Sequence, residues 1–200
     1  VALRRFRGVG RRQAGEWLSA NMRGEMAGGQ SVGFSVRKED KGRRFNVIAG
    51  NAGGIARALG LYPDARGGTM FLNFLIPGPN NSDDTIIGNL RADNFRVVKA
   101  KVLTRLLTLG SLTGLSDTLN DKGITFTRLT VPFTMRKRIL HIERARAVGP
   151  ALAIIATGDY ARDGEVLEFQ GATVPSFPIN SVLGVIPIRA AVQTPKPQRR

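Results

Sequence analysis

Cysteine is absent from the 200 residues, which excludes disulfides and thiolate metal sites. Histidine occurs once, at His141, so a multi-histidine metal centre cannot be built, and a Ser-His-Asp triad would have to rest on that one ring. Acidic side chains are scarce, 15 against 30 Lys and Arg. The adjacent carboxylates Asp83-Asp84 follow Pro79-Asn80-Asn81-Ser82, where such residues belong to a solvated turn rather than a metal clamp. Aromatic residues make up only 6% of the chain, and several phenylalanines fall on apolar strand phases, which leaves little for stacking bases and argues against nucleic acid as the partner. Gly50-Asn51-Ala52-Gly53-Gly54 precedes a predicted helix but lacks both a Walker lysine and a G-x-G-x-x-G spacing. From these absences no catalytic residue, metal or cofactor is expected.

There is no apolar run of the roughly 20 residues that a spanning helix needs, nor a signal-peptide core. The chain opens on Val1, so a cytosolic protein and a fragment of a longer one are the two expectations. What is abundant is positive charge: +15 overall, with a pI near 11.5, which draws polyanions such as nucleic acid or anionic lipid headgroups. The charge is clustered at Arg4–Arg12, Arg37–Arg44, Arg136–Arg146 and the last five residues. Among these, Arg136, Lys137 and Arg138 are the polyanion-binding candidates. Residues 1–30 are expected to be a basic arm or the end of a preceding segment, and 189–200 a basic, proline-rich tail.

Between them, residues 31–188 alternate in the manner of strands. Val32, Phe34 and Val36 share one phase, and Arg43 to Ala49 follows a charged turn, giving a hairpin. Asn51 caps a short helix that ends at Gly60. Met70, Leu72, Phe74 and Ile76 share the next apolar phase, and further strands fall at 85–92 and 94–98. Leu103, Leu106, Leu107, Leu112, Leu115 and Leu119 recur at helical spacing and predict the longest helix, between about Lys99 and Leu119, with Gly110 and Gly114 weakening it. Strands then resume with Ile124 and Phe126. After a phase slip at Arg128, which predicts a bulge, they continue through Leu129, Val131, Phe133 and Met135; Pro132 suits an edge or a bulge. Segments at 136–145, 151–160 and 165–173 complete the series. The expected fold is α+β: a mainly antiparallel curved sheet with one leucine-rich helix and short helical segments.

The C-terminal run carries a resemblance. Gly158-Asp159-Tyr160, then Gly164 through Gly171-Ala172-Thr173-Val174-Pro175, then Asn180-Ser181-Val182-Leu183-Gly184-Val185-Ile186-Pro187 resembles the end of AsmA-like C-terminal domains of the YhdP type. Phe95 to Ala100 leading into Leu103–Leu107, Ser111-Leu112-Thr113-Gly114-Leu115 and Gly123-Ile124-Thr125-Phe126 add to it, as do Asn51-Ala52-Gly53 and Arg66-Gly67-Gly68-Thr69. Together they cover residues 31–188. The chain departs from the family at Asn51, where aspartate is common, and after Ile188, where a Pro- and Arg-rich ending replaces a glycine-containing turn. The resemblance implies a non-enzymatic groove protein of the cell envelope, anchored in the inner membrane by a segment outside this chain and facing the periplasm. Its implied partners are phospholipid or another anionic envelope lipid, and the remainder of a longer parent chain. An apolar sheet face could shield acyl chains, and Met70, Leu72, Phe74, Leu129, Val131 and Phe133 are the lipid-facing candidates. Two other functions stay open on the residues alone, a basic polyanion- or nucleic-acid-binding domain and a structural cap of a longer envelope protein; the leucine-rich helix could equally cover the apolar face as an ordinary core.

Overall fold

The computed structural model describes residues 3–26, 28–59, 62–79, 84–98, 123–161, 167–175 and 186–191. They form one antiparallel sheet in which every strand pairs with its neighbours in sequence: β1 (Leu3–Gln13), β2 (Glu16–Met26), β3 (Ser31–Glu39), β4 (Gly42–Ala49), β5 (Ala65–Pro77), β6 (Ile86–Val97), β7 (Ile124–Arg136), β8 (Ile139–Val148), β9 (Leu152–Ala161), β10 (Leu167–Pro175) and β11 (Ile186–Ala191). One helix, α1 (Ala52–Ala58), interrupts the order between β4 and β5. At about 4.8 Å per strand the sheet is roughly 48 Å across.

This corrects the α+β expectation, because all the described residues outside α1 and the turns are strand. The leucine-rich helix expected at about Lys99–Leu119 lies outside the described residues. A second difference is at the N-terminus. Glycine and arginine suggested a basic arm or the end of a preceding segment, yet Leu3–Met26 is a hairpin hydrogen-bonded in register onto β3. Alternation is hard to see there because Gly8, Gly10 and Gly24 occupy positions where an apolar side chain would have shown it. The ring of Trp17 lies where a Cβ on Gly10 would be, and Phe6 does the same at Gly24, so neighbouring aromatics fill those gaps. The basic tail expected at 189–200 begins inside β11, with Arg189 opposite Gln170.

The short helix follows its cap. Asn51 Oδ1 accepts from the Gly54 amide at 2.7 Å, satisfying one of the amides a helix start leaves unpaired. Beneath it lies one of two buried clusters, formed by Met26, Ala49, Ala52, Met70 and Ala92, with Ile55 packed against it. The other joins Val97, Ile124, Phe126, Ala147 and Leu152. Both sit at the end of the sheet where β4, β6 and β8 finish and β5, β7 and β9 begin. The expected phase slip at Arg128 is real in its effect but has another cause, since β6 and β7 stay in register throughout. Left-handed Asn94, with φ 54°, and Gly68, with φ 79°, reorient the strands, so that Phe95 and Phe126 stack at 5.2 Å in the same core as Leu129. A Cβ on Gly68 would strike Phe95, which makes glycine the residue that fits. Pro132 is opposite a register shift between β7 and β8, so its missing amide falls where the ladder is already broken.

Stability should therefore be uneven along the strands. Phe126 is 2% exposed at the closed end, whereas Phe74 is half-buried nearer the other. Phe126→Ala is expected to cost about 3–5 kcal/mol and Phe74→Ala clearly less. Urea denaturation of the two variants measures the difference; equal losses would contradict a core concentrated at one end.

Candidate functional site

Because side chains alternate across a strand and paired residues share a face, the register sorts the sheet into rows. One row runs Val32, Ala49, Met70, Ala92, Leu129, Ala147 and Ile154 from β3 to β9. The next runs Met22, Phe34, Val47, Leu72, Leu90 and Val131. A third runs Ala20, Val36, Phe45, Phe74, Gly88, Phe133, Ile142, Gly158 and Phe169. No charged residue interrupts these three rows. The six lipid-facing candidates fall in them as consecutive pairs on β5 and β7, with β6 between: Met70 with Leu129, Leu72 with Val131, Phe74 with Phe133.

Only α1 lies over this face among the described residues, and it covers the Met70 row. Met70 is accordingly 8% exposed, while Leu72, Phe74, Leu129, Val131 and Phe133 are half-buried by their row neighbours. Phe45 and Phe74 stack at 4.9 Å and 3°, and Phe34 tilts against Phe45 at 5.9 Å. Glycine recurs where rings need room. The Phe133 ring occupies the place of a Gly88 side chain and the Phe169 ring that of Gly158, so the third row is lined by aromatic faces lying over backbone. Phe34, Phe45, Val47 and Leu90 belong to the same surface, although only their strand phases had pointed to them.

Charge enters this face in the next row, where Lys38 and Arg43 pair beside Ile76; the opposite face is charged along several rows, interspersed with Ile48, Phe71 and Ile87. Arg91 lies over the Phe71 ring at 4.2 Å from its centroid. Here one row, Asn21, Ser35, Asn46, Asn73 and Asn89, is a line of amides and a hydroxyl across β2 to β6. Sequence reading passed over it, since each member is an ordinary polar residue in the solvent phase of its strand. Only the register unites them.

His141 also lies on this face, exposed, with Nδ1 2.5 Å from Asp159 Oδ1. No serine, threonine or cysteine bonds to its ring among the described residues, so the pair lacks the nucleophile of a triad. Asp84, expected in a solvated turn, pairs with Arg136 at 3.2 Å; Asp83 is outside the described residues. No group of three or more potential metal ligands occurs among the described residues. No described helix is long and apolar enough to cross a membrane.

Arg136, Lys137 and Arg138 come together at the β7–β8 turn, all exposed. Lys137 has φ 47° and Arg138 φ 68°, both left-handed. Two-residue hairpins with this geometry favour Asn-Gly, because a Cβ in that region clashes with the backbone. The chain thus holds two cations at a tip where local conformation opposes them.

Comparison with family models, with curated proteins and with solved structures found no match to this chain. Its function must be argued from these two faces and the turn.

If charge alone justifies the turn, Lys137→Asn with Arg138→Gly should raise stability by about 1–2 kcal/mol. Heparin-column retention should fall at the same time. A double variant no more stable than the parent would show that the turn carries no conformational cost.

Proposed function

We propose that this chain is a non-enzymatic lipid-handling sheet of a cell-envelope protein, its apolar face sheltering acyl chains while headgroups stay in water. The observation that carries the reading is the set of three adjacent rows, free of charge, that no described layer covers beyond α1. Hydrophobic burial gives about 0.8 kcal/mol per methylene, so a few acyl carbons seated along a row suffice for measurable binding. The half-buried state of Leu72, Phe74, Val131 and Phe133 supports it, since these side chains keep part of their apolar surface within reach of a ligand. The motif resemblance to AsmA-like C-terminal domains supplies the lipid class, phospholipid or another anionic envelope lipid, and the periplasmic setting.

A second reading, binding of a polyanion through the basic turn, is favoured by the left-handed Lys137 and Arg138 and by the net charge of +15. Salt separates the two. Lipid taken up by burial should survive high salt, because the hydrophobic effect is not screened, whereas binding to phosphates should collapse by orders of magnitude as salt rises. The expected result is purified chain that retains or takes up phospholipid, detected by mass spectrometry after a high-salt wash. Leu72→Asp or Val131→Asp should abolish uptake with circular dichroism unchanged. Folded protein that takes up no lipid and binds only polyanions, reversibly with salt, would sink the lipid reading.

A further inference from the structure

The face opposite the apolar rows holds a second site. Over β1 to β4 lies a concavity of about 500 Å³. Its floor is made by two neighbouring rows, one running Arg11, Ser19, Arg37 and Arg44, the other Asn21, Ser35 and Asn46. Three arginines and one carboxylate, Glu39, line it. Glu39 is already engaged: Arg44 donates to both its oxygens, Nε at 3.2 and 3.3 Å and the terminal nitrogen at 3.1 Å. Those bonds hold the Glu39 carboxyl below its ordinary range. Arg11 and Arg37 have no hydrogen-bonded carboxylate among the described residues, so two positive charges remain in excess.

The amide row gives the concavity a polarity. The other terminal nitrogen of Arg44 lies 3.1 Å from Asn73 Oδ1. A guanidinium has no acceptor, so the Asn73 oxygen must face it and the Asn73 amide must face away. Asn73 Nδ2 then donates to Asn46 Oδ1 at 2.5 Å, and Asn46 Nδ2 to Ser35 Oγ at 3.4 Å. One arginine therefore fixes the orientation of every group in the chain. The last acceptor is the Ser35 hydroxyl, whose own hydrogen is left to donate, strengthened by the polarised bonds behind it.

We propose that this concavity binds an oxyanion, a phosphate monoester or a group of like shape and charge, with Arg11 and Arg37 supplying the counter-charge and the Ser35 hydroxyl a directed hydrogen bond. Ser19 lies between the two arginines in the same row and offers a second hydroxyl. The ligand is either a soluble phosphate ester or the phosphate of a lipid headgroup. Because the site is on the other face of the sheet, it does not depend on the lipid reading and can stand if that reading fails.

Calorimetry on the full chain at constant ionic strength tests it, with inorganic phosphate and glucose 6-phosphate as probes and glucose and chloride as controls. Saturable binding of both phosphates and neither control is expected. Ser35→Ala should weaken it on the order of tenfold, Ser35→Thr should restore it, and Arg37→Gln should weaken it at least as much as Ser35→Ala. Phosphatidylcholine vesicles doped with phosphatidic acid separate the sources. Attachment reversed by soluble phosphate supports a headgroup, and phosphate binding without attachment supports a soluble ester. Should Arg37→Gln fail to fold, the Ser35 pair decides, since Ala and Thr differ in the hydroxyl and both suit an ordered sheet. Phosphate binding no stronger than chloride, or equal affinity in folded Ser35→Ala, would overturn the proposal.

Discussion

Unbroken antiparallel pairing between sequence neighbours is the constraint on which the rest depends. A slip of one residue moves a whole strand's side chains to the other face, so a sheet of eleven strands keeps two distinct faces only if every pairing holds its phase. Here the register shifts are confined to four places, two in the β1–β2 ladder and one each in the β7–β8 and β8–β9 ladders. The last two share the same stretch of β8, around Glu143 and Arg144, so one irregularity serves both pairings. Between β2 and β7 the register is unbroken, and all three apolar rows run side by side from β3 to β7.

Much of this was legible from residue types, because period-two alternation is a local signal that needs no knowledge of partners. Met70, Leu72 and Phe74 on one segment and Leu129, Val131 and Phe133 on another were recognisable as apolar phases. Their meeting across β6 followed once pairing was sequential. The Asn51 cap was readable for the same reason, being fixed by residues three apart. What escaped was either non-local or hidden by glycine. Gly8, Gly10 and Gly24 erased the alternation of the first two strands, since the apolar surface there is lent by Trp17 and Phe6 from neighbouring strands. The α+β expectation failed because the short alternations, each a weak signal alone, join into one continuous sheet across the described residues.

The amide row shows the limit more sharply. Ser35, Asn46 and Asn73 occupy solvent phases, where Ser and Asn carry almost no information singly. Their joint meaning depends on three registers and on Arg44, whose lack of an acceptor sets the direction of the hydrogen bonds. Burial in the apolar rows depends on apolar area rather than direction, whereas each amide of the hydrogen-bonded row has its donor and acceptor ends set by the one before it.

The two faces also differ in what stabilises them, and this bears on how a ligand could act. In a meander each strand gains only from its neighbours, so stability is a chain of nearest-neighbour interfaces, much as in repeat proteins. Large buried side chains, Ile124, Phe126 and Leu152, are gathered at the end where α1 packs. Away from that end the sheet relies on backbone ladders and half-buried rows, the kind of region that opens at low free-energy cost. A ligand laid across several strands there would bridge interfaces that are otherwise independent, so lipid on one face or an oxyanion on the other would stiffen the sheet as well as occupy it.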